Sequence, residues 1–238
     1  LQYDSDGNLT QDGRFDYTWN GENRLIKAET RNDLPVSVPR VKVENLYDYM
    51  GRRIRKTVSS GYSGGSYTTT NVTTYVWDGF NVIVEVKASA SETNLRCFVW
   101  GFDLAQSLYL SGGVGGLLAV VERDGSTYFP TFDGNGNVCQ YVDTNGAVVA
   151  HRESSYFGQT IALTGDKKAD FTHWFSTQPF DEETGLIAYV FRYYSPECGR
   201  FLSPDPIGLR GGIHLYSFAQ NSPINKWDYL GLVSCSCC

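Results

Sequence analysis

The run FDGNGNVCQYVDTNGAVVA, from Phe132 to Ala150, decides how this chain folds. An aromatic with an Asp beside it leads into Gly and Asn, and a short apolar segment follows. Asn135-Gly136 and Asn145-Gly146 are two-residue hairpin signals, because so tight a turn requires positive φ, which Gly and Asn adopt at little cost. Flanking segments such as AVVAH have the β-branched composition of strands.

The unit recurs as YDSDGNLT (Tyr3, Asp4, Gly7), FDYTWNGENRLIKAE (Phe15 to Glu29), YDYMGRRIRKTV (Tyr47, Asp48, Gly51) and YVWDGFNVIVEV (Trp77, Asp78). Its spacing is irregular, roughly 20–30 residues, within the range of repeat architectures. Asp6-Gly7, Asn20-Gly21, Asp78-Gly79 and Asp124-Gly125 add turns, and TTYVW, NVIVEV and LLAVVE read as strands. Of 238 residues, 25 are Gly and 16 Tyr against a single Met, a composition for turns and pleated surfaces rather than helices. The expected fold is all-β: hairpin after hairpin in a long sheet that curls into a shell or solenoid to hide its edges. An aromatic beside each turn is expected to stack on its counterpart in the next unit.

Three stretches break the pattern. Residues 59–74, SSGYSGGSYTTTNVTT, read as a long hairpin loop leading into a strand. GGVGG, Gly112 to Gly116, reads as a flexible joint. The polar TGDKKAD near Gly165 marks the expected boundary between the repeats, 1–164, and a closing segment, 165–232, with a cysteine-rich tail at 233–238. The first residues begin in mid-unit, so Leu1 reads as an internal position of a longer protein.

Net charge is −6 without a dense basic run, which argues against a nucleic-acid partner. In GRRIRK, strand alternation sends Arg53 and Arg55 to one face and Arg52, Ile54 and Lys56 to the other, as in a solvated strand. No segment approaches the roughly 20 apolar residues of a membrane helix. Cys97, Cys139 and Cys198 are scattered like lone buried thiols. For Cys235, Cys237 and Cys238 a mobile tail or an intermolecular disulfide is favoured over zinc, because their C-x-x-C lacks a second ligand pair. No cofactor or metal is expected. GYSGG (Gly61 to Gly65) matches the hydrolase elbow pattern but lacks the buried strand and helix that the elbow needs. His151, His173 and His214 are widely separated and read as structural. Asn8 and Asn71 head glycosylation sequons.

Near the end the sequence is denser in fixed elements: Glu183-Thr184-Gly185-Leu186, Arg192-Tyr193-Tyr194-Ser195-Pro196, Gly199-Arg200-Phe201-Leu202-Ser203, Asp205-Pro206-Ile207-Gly208-Leu209, Gly211-Gly212, Leu215-Tyr216 and Asp228-Tyr229-Leu230-Gly231-Leu232. This series resembles the core of the Rhs family (ETGL, RYYDP, GRFLS-x-DPIGL, GG-x-NLY, DPxGL), and the upstream units resemble its YD repeats over nearly the whole chain. The resemblance implies a secreted or cell-surface bacterial protein, similar to the C component of insecticidal Tc toxins. In that family a hollow β-shell encloses a variable C-terminal toxin, a core stretch plugs one end, and in many members that core is an aspartic self-protease. Carried over by matching positions, Asp205 and Asp228 would be catalytic, supported by Arg192, and the bond cut would be Leu232–Val233. Tyr229 stands where the family has Pro, Ser195 where it has Asp, and His214 where it has Asn.

The chemistry is sound in itself. Two carboxylates held close share one proton. The protonated one can polarise a carbonyl while the other activates water, and an Arg fixes their geometry. The plainer reading is that each Asp caps a turn and the arginines form plug salt bridges. The implied partner is a C-terminal toxin cargo. The rival is a non-catalytic extracellular wall or fibre of YD hairpins whose partners are other copies of the protein. A third reading is carbohydrate binding through exposed Tyr and Trp.

Overall fold

The computed structural model describes residues 1–108 and 112–236, with backbone alone at 229 and 233–236. Fourteen strands follow in chain order: β1 Gln2–Tyr3, β2 Leu9–Gln11, β3 Phe15–Trp19, β4 Leu25–Thr30, β5 Lys42–Tyr47, β6 Arg53–Ser63, β7 Ser66–Asp78, β8 Asn81–Ser89, β9 Thr93–Trp100, β10 Leu117–Glu122, β11 Thr127–Phe132, β12 Val138–Asp143, β13 Val148–Ser154 and β14 Thr160–Thr164. Each pairs antiparallel with the next in one open meander. The closing stretch adds a four-stranded sheet, β15 Phe180–Asp181, β16 Leu186–Ala188, β17 Tyr193–Ser195 and β18 Arg200–Phe201. A terminal hairpin follows, β19 Lys226–Tyr229 and β20 Val233–Ser236. Among the described residues there is no α-helix, so the all-β expectation holds.

The repeat has a physical cause in the turn. In Asp4, Asn20, Asp48, Asp133 and Asp143, the side-chain Oδ1 accepts the backbone amides two and four residues on, at 2.8–3.0 Å. The turns they organise are three-residue loops with a bulge, in which only the fourth residue takes positive φ. That residue is Gly7, Gly51, Gly136 or Gly146, and in the Asn20 turn it is Asn23 (φ 58°) rather than Gly21. The two-residue geometry expected for most of these sites is therefore replaced by a longer loop, because the Asp ahead of it ties down the amides. Near Asp78-Gly79 a two-residue connection does form, but one residue on: Asp78 pairs with Asn81, so the loop is Gly79-Phe80 and only Gly79 takes positive φ.

Aromatics link successive units by hydrogen bonds rather than by the expected stacking. Trp19 Nε1 donates to Leu9 O at 2.7 Å, Tyr47 Oη to Leu25 O at 2.7 Å, Trp77 Nε1 to Arg53 O at 2.9 Å and Trp100 Nε1 to Val82 O at 2.7 Å. Each acceptor is the residue just beyond the previous unit's turn, so one side chain ties neighbouring hairpins together.

Three other expectations change. Residues 59–74 are strand, not loop: β6 and β7 run through them, and the turn is confined to Gly64 and Gly65. GGVGG is a packed turn, with Val114 and Leu117 fully buried. Arg53 and Lys56 both point inward, because β6 bulges at Ile54: Leu46 faces Arg55 and Tyr47 faces Arg53, so one extra residue breaks the alternation.

The sheet is strongly curved. Laid flat, β1 and β14 would stand about 60 Å apart at about 4.8 Å per strand. Instead the Arg200 guanidinium lies 6.0 Å from the Tyr3 ring on β1. The neighbouring Gly199 packs on Phe157, in the turn between β13 and β14, where a Cβ would come within 3.3 Å of the ring. Edge strands β1 and β14 do not pair with each other, so the curve is open.

The closing stretch fills this curve. Leu186, Tyr193 and Leu202 pack on Leu9, Phe15 and Leu25, while Phe171 and Trp174 pack on Val120, Tyr128 and Tyr141. Burying each large apolar side chain is worth about 1.5–3 kcal/mol. It also meets the turns along one edge: Tyr216 Oη donates to Gly7 O at 2.8 Å, Asn135 Nδ2 to Pro223 O at 2.9 Å, Tyr194 Oη to Phe157 O at 2.8 Å, and Phe191 lies 5.7 Å from Phe80.

Candidate active site

The closing stretch brings Arg192, Asp205 and Asp228 together from three places. Arg192 sits just before β17, Asp205 follows β18 between Pro204 and Pro206, and Asp228 is on β19. All three are buried. Nη2 of Arg192 stands 3.0 Å from Oδ2 of Asp205 and 3.6 Å from Oδ2 of Asp228. The rest of the guanidinium is also held: Nη1 donates to Leu215 O at 3.1 Å, Nε donates to Gly231 O, and the Phe201 ring lies 3.7 Å beneath. A fork fixed on every side cannot swing away, so it sets the spacing of the carboxylates.

Burial pushes the Asp228 carboxyl up to about 7; the charge of Arg192 opposes this, Asp205 adds to it, and backbone amides of Leu232 and Gly231 pull it down. Burial also raises Asp205, against Arg192 and the Ile207 amide, which donates to Asp205 Oδ1 at 3.0 Å. Oδ1 of Asp228 has no hydrogen-bond partner among the described residues. A buried carboxyl oxygen without a donor is cheapest when it carries the proton itself. With both carboxyls raised by burial, the pair takes up a proton more readily than free carboxylates do.

The expected bond lies beside this pair. Asp228 and Leu232 belong to one hairpin, in which Asp228 faces Ser234 and Tyr229 faces Val233. Leu230 and Gly231 both adopt positive φ at its tip. At Gly211 a Cβ would fall 2.4 Å from Asp205 Oδ2 and 2.9 Å from Leu232 O, so only Gly fits between carboxylate and carbonyl. Gly231 is equally constrained, since a Cβ there would press on Tyr189 and Arg192 at 3.1 and 3.3 Å. Sequence reasoning quoted Gly211 and Phe201 only as family elements; their roles depend on contacts across the fold.

A second buried network went unread. Arg53 grips Asp181 with two nitrogens, at 2.5 and 3.1 Å, while Lys56 reaches Asp181 and Glu183 at 3.0 Å each. It joins β6 to the closing stretch. The other candidates are structural or lie elsewhere. His173 is buried against Phe98, and burial lowers its pKa to about 3. No described Trp is exposed. Asn8 is buried in its turn with Nδ2 bonded to Asp4 and Asn23. Among the described residues no cluster of three or more His, Cys, Asp or Glu could hold a metal, and no helix is long and apolar enough to cross a membrane. Cys237, Cys238 and the Cys235 side chain lie outside the described residues, as does the Tyr229 side chain.

No protein-family model matches the chain. It is similar, at 31% identity over 96% of its length, to the tRNA3(Ser)-specific nuclease WapA of Bacillus spizizenii, and at 28% over 93% to the probable deoxyribonuclease RhsB of Dickeya dadantii. The chain spans only 9% and 14% of those relatives. Its fold matches a crystal structure of TcdB2-TccC3 with a TM-score of 0.75 and 20% identity, over 97% of this chain and 11% of that one. The likeness persists, at 0.71 and 20% over 94% of this chain and 10% of that one, in TcdB2-TccC3 without its hypervariable C-terminal region. The chain thus shares sequence with part of each of these nucleases and its all-β fold with part of TcdB2-TccC3. It fits, broadly, the Rhs and Tc C-component toxin family. Against the expectation of no nucleic-acid partner, both named relatives are nucleases.

Proposed function

We propose that this chain is the closing part of a bacterial β-shell, and that its core cuts the polypeptide once, between Leu232 and Val233, to free a C-terminal toxic cargo. The observation that carries this reading is the convergence of Asp205 and Asp228 on one nitrogen of Arg192, with the Leu232 carbonyl beside Asp205. Residues 1–164 act as wall, 165–232 as plug and protease, and 233 onward as the start of what is released. The strong curvature, and a fold likeness that survives without a hypervariable C-terminal region, both favour wall and plug over cargo. Nucleic acid is then the concern of the cargo, as the relatives' names suggest, and not of this acidic chain. The parent protein works outside the cell that makes it.

In the reaction, water adds to the Leu232 carbonyl carbon while one aspartate takes its proton and the other polarises the carbonyl. The C–N bond to Val233 breaks, the leaving nitrogen takes a proton, and one water is consumed. Arg192 keeps the pair together and favours its charged form, while burial and the second carboxyl favour the proton. The test is N-terminal sequencing of the downstream fragment from the longer protein. A fragment beginning at Val233 is expected; one beginning elsewhere contradicts the assignment.

A further inference from the structure

The hairpin to be cut is gripped from two sides. On the plug side, three successive carbonyls are met: Leu230 O accepts the Phe191 amide at 3.0 Å, Gly231 O accepts from Arg192 Nε, and Leu232 O lies beside Gly211. On the sheet side stands the GGVGG turn between β9 and β10, to which no role has been given. Gly112 has φ +62°, and a Cβ there would lie 2.6 Å from Leu230 Cδ2 and 3.4 Å from Leu230 N. Leu230 itself is held at φ 55°, where a branched side chain rests only if its surroundings impose it. The turn is in turn fixed by the plug: Gln178 Nε2 donates to Gly112 O at 3.1 Å and the Gly115 amide donates to Thr177 Oγ1 at 2.9 Å.

Resting on the self-cleavage reading, we propose that Gly112 is a positioning residue for the cut. Its missing side chain lets Leu230 seat on the sheet, and that seat aims the Leu232 carbonyl at Asp205 and Asp228. The wall thereby sets the geometry of the plug's chemistry, and a plug that has not docked on a folded sheet does not cut.

The test uses the longer protein and follows the rate of cleavage by mass. Gly112→Ala pushes Leu230 off its seat, and Leu230→Ala leaves the seat empty; each slows cleavage on the order of a hundredfold, the effect of misplacing a reacting group by about 1 Å. Combining the two refills the seat and recovers most of the rate, which a merely structural role would not do. Gly125→Ala, at a comparable positive φ of +89° in an open turn with nothing within 4 Å of its Cβ, controls for backbone strain and keeps the parental rate. If the parent cleaves and both single variants cleave equally fast, or if the double variant is no faster than either, the positioning role is wrong while self-cleavage stands. A parent that never cleaves removes both. Should Gly112→Ala fail to fold, Leu230→Ala against the parent still decides.

Discussion

Asp228 and Leu232 lie four residues apart in one hairpin, whose strands pair Asp228 with Ser234 and Tyr229 with Val233, so a proposed catalytic carboxyl and the residue at the proposed cut are parts of one turn. On the self-cleavage reading, substrate and catalyst cannot diffuse apart, which supplies the proximity that hydrolases acting on a separate substrate obtain by binding. It also restricts the site to a single cut.

Cleavage should depend on pH through the shared proton. With Asp228 titrating near 7, the singly protonated pair empties as pH rises beyond that value. The cleavage rate is expected to fall about tenfold per unit well above pH 7, the behaviour of one lost essential proton. A rate unchanged between pH 6 and 9 would contradict it.

Stability should follow the same group with a definite sign. The folded pKa of Asp228 lies above its unfolded value of about 3.9, so the folded chain binds the extra proton. Its stabilising effect is fully present below about pH 4 and is lost as pH rises through about 7. Asp228→Asn, which cannot ionise, should remove this loss and be the more stable variant above pH 7, by on the order of 3–4 kcal/mol. Urea titrations at pH 5 and 8 measure it, and equal parent-to-variant differences at both would refute it.

Plug docking should hinge on Arg53. Replacing it with Met leaves Asp181 buried with Lys56 as its remaining partner, at an expected cost of about 3–5 kcal/mol. A shift in urea midpoint corresponding to less than about 1 kcal/mol would mean that the network is solvated and weak.

The turn aspartates should matter individually but modestly. Asp48→Ala loses the Met50 and Arg52 amide bonds and the Arg52 side-chain bond, and should destabilise by about 1–2 kcal/mol. Asp48→Asn keeps an acceptor at Oδ1 and should lose less. Equal losses in the two variants would shift the credit from the turn to the Arg52 ion pair.

Much of the fold was legible because turn chemistry is local. Asp, Asn and Gly at fixed offsets specify the hairpins wherever they occur, and the meander follows from their succession. Register was not legible. The bulge at Ile54 is defined only against a partner strand, so Arg53 and Lys56 looked like solvated charge when they are buried partners of Asp181. GGVGG looked flexible because glycine permits motion, yet here the residues provide close approach to Leu230, Leu104 and Trp100. At the candidate site, Arg192, Asp205 and Asp228 came from the family resemblance. Composition alone could not join residues 36 positions apart, and the supporting roles of Gly211, Phe201 and the Leu215 carbonyl exist only in three dimensions.

The most direct measurement is the intact mass, after denaturation, of the longer protein beside its Asp228→Asn variant. A parent broken between Leu232 and Val233, with the variant whole, is the predicted result. An unbroken parent, or a variant cut as fully as the parent, would contradict it and leave Arg192, Asp205 and Asp228 as a buried clamp that only holds the plug together.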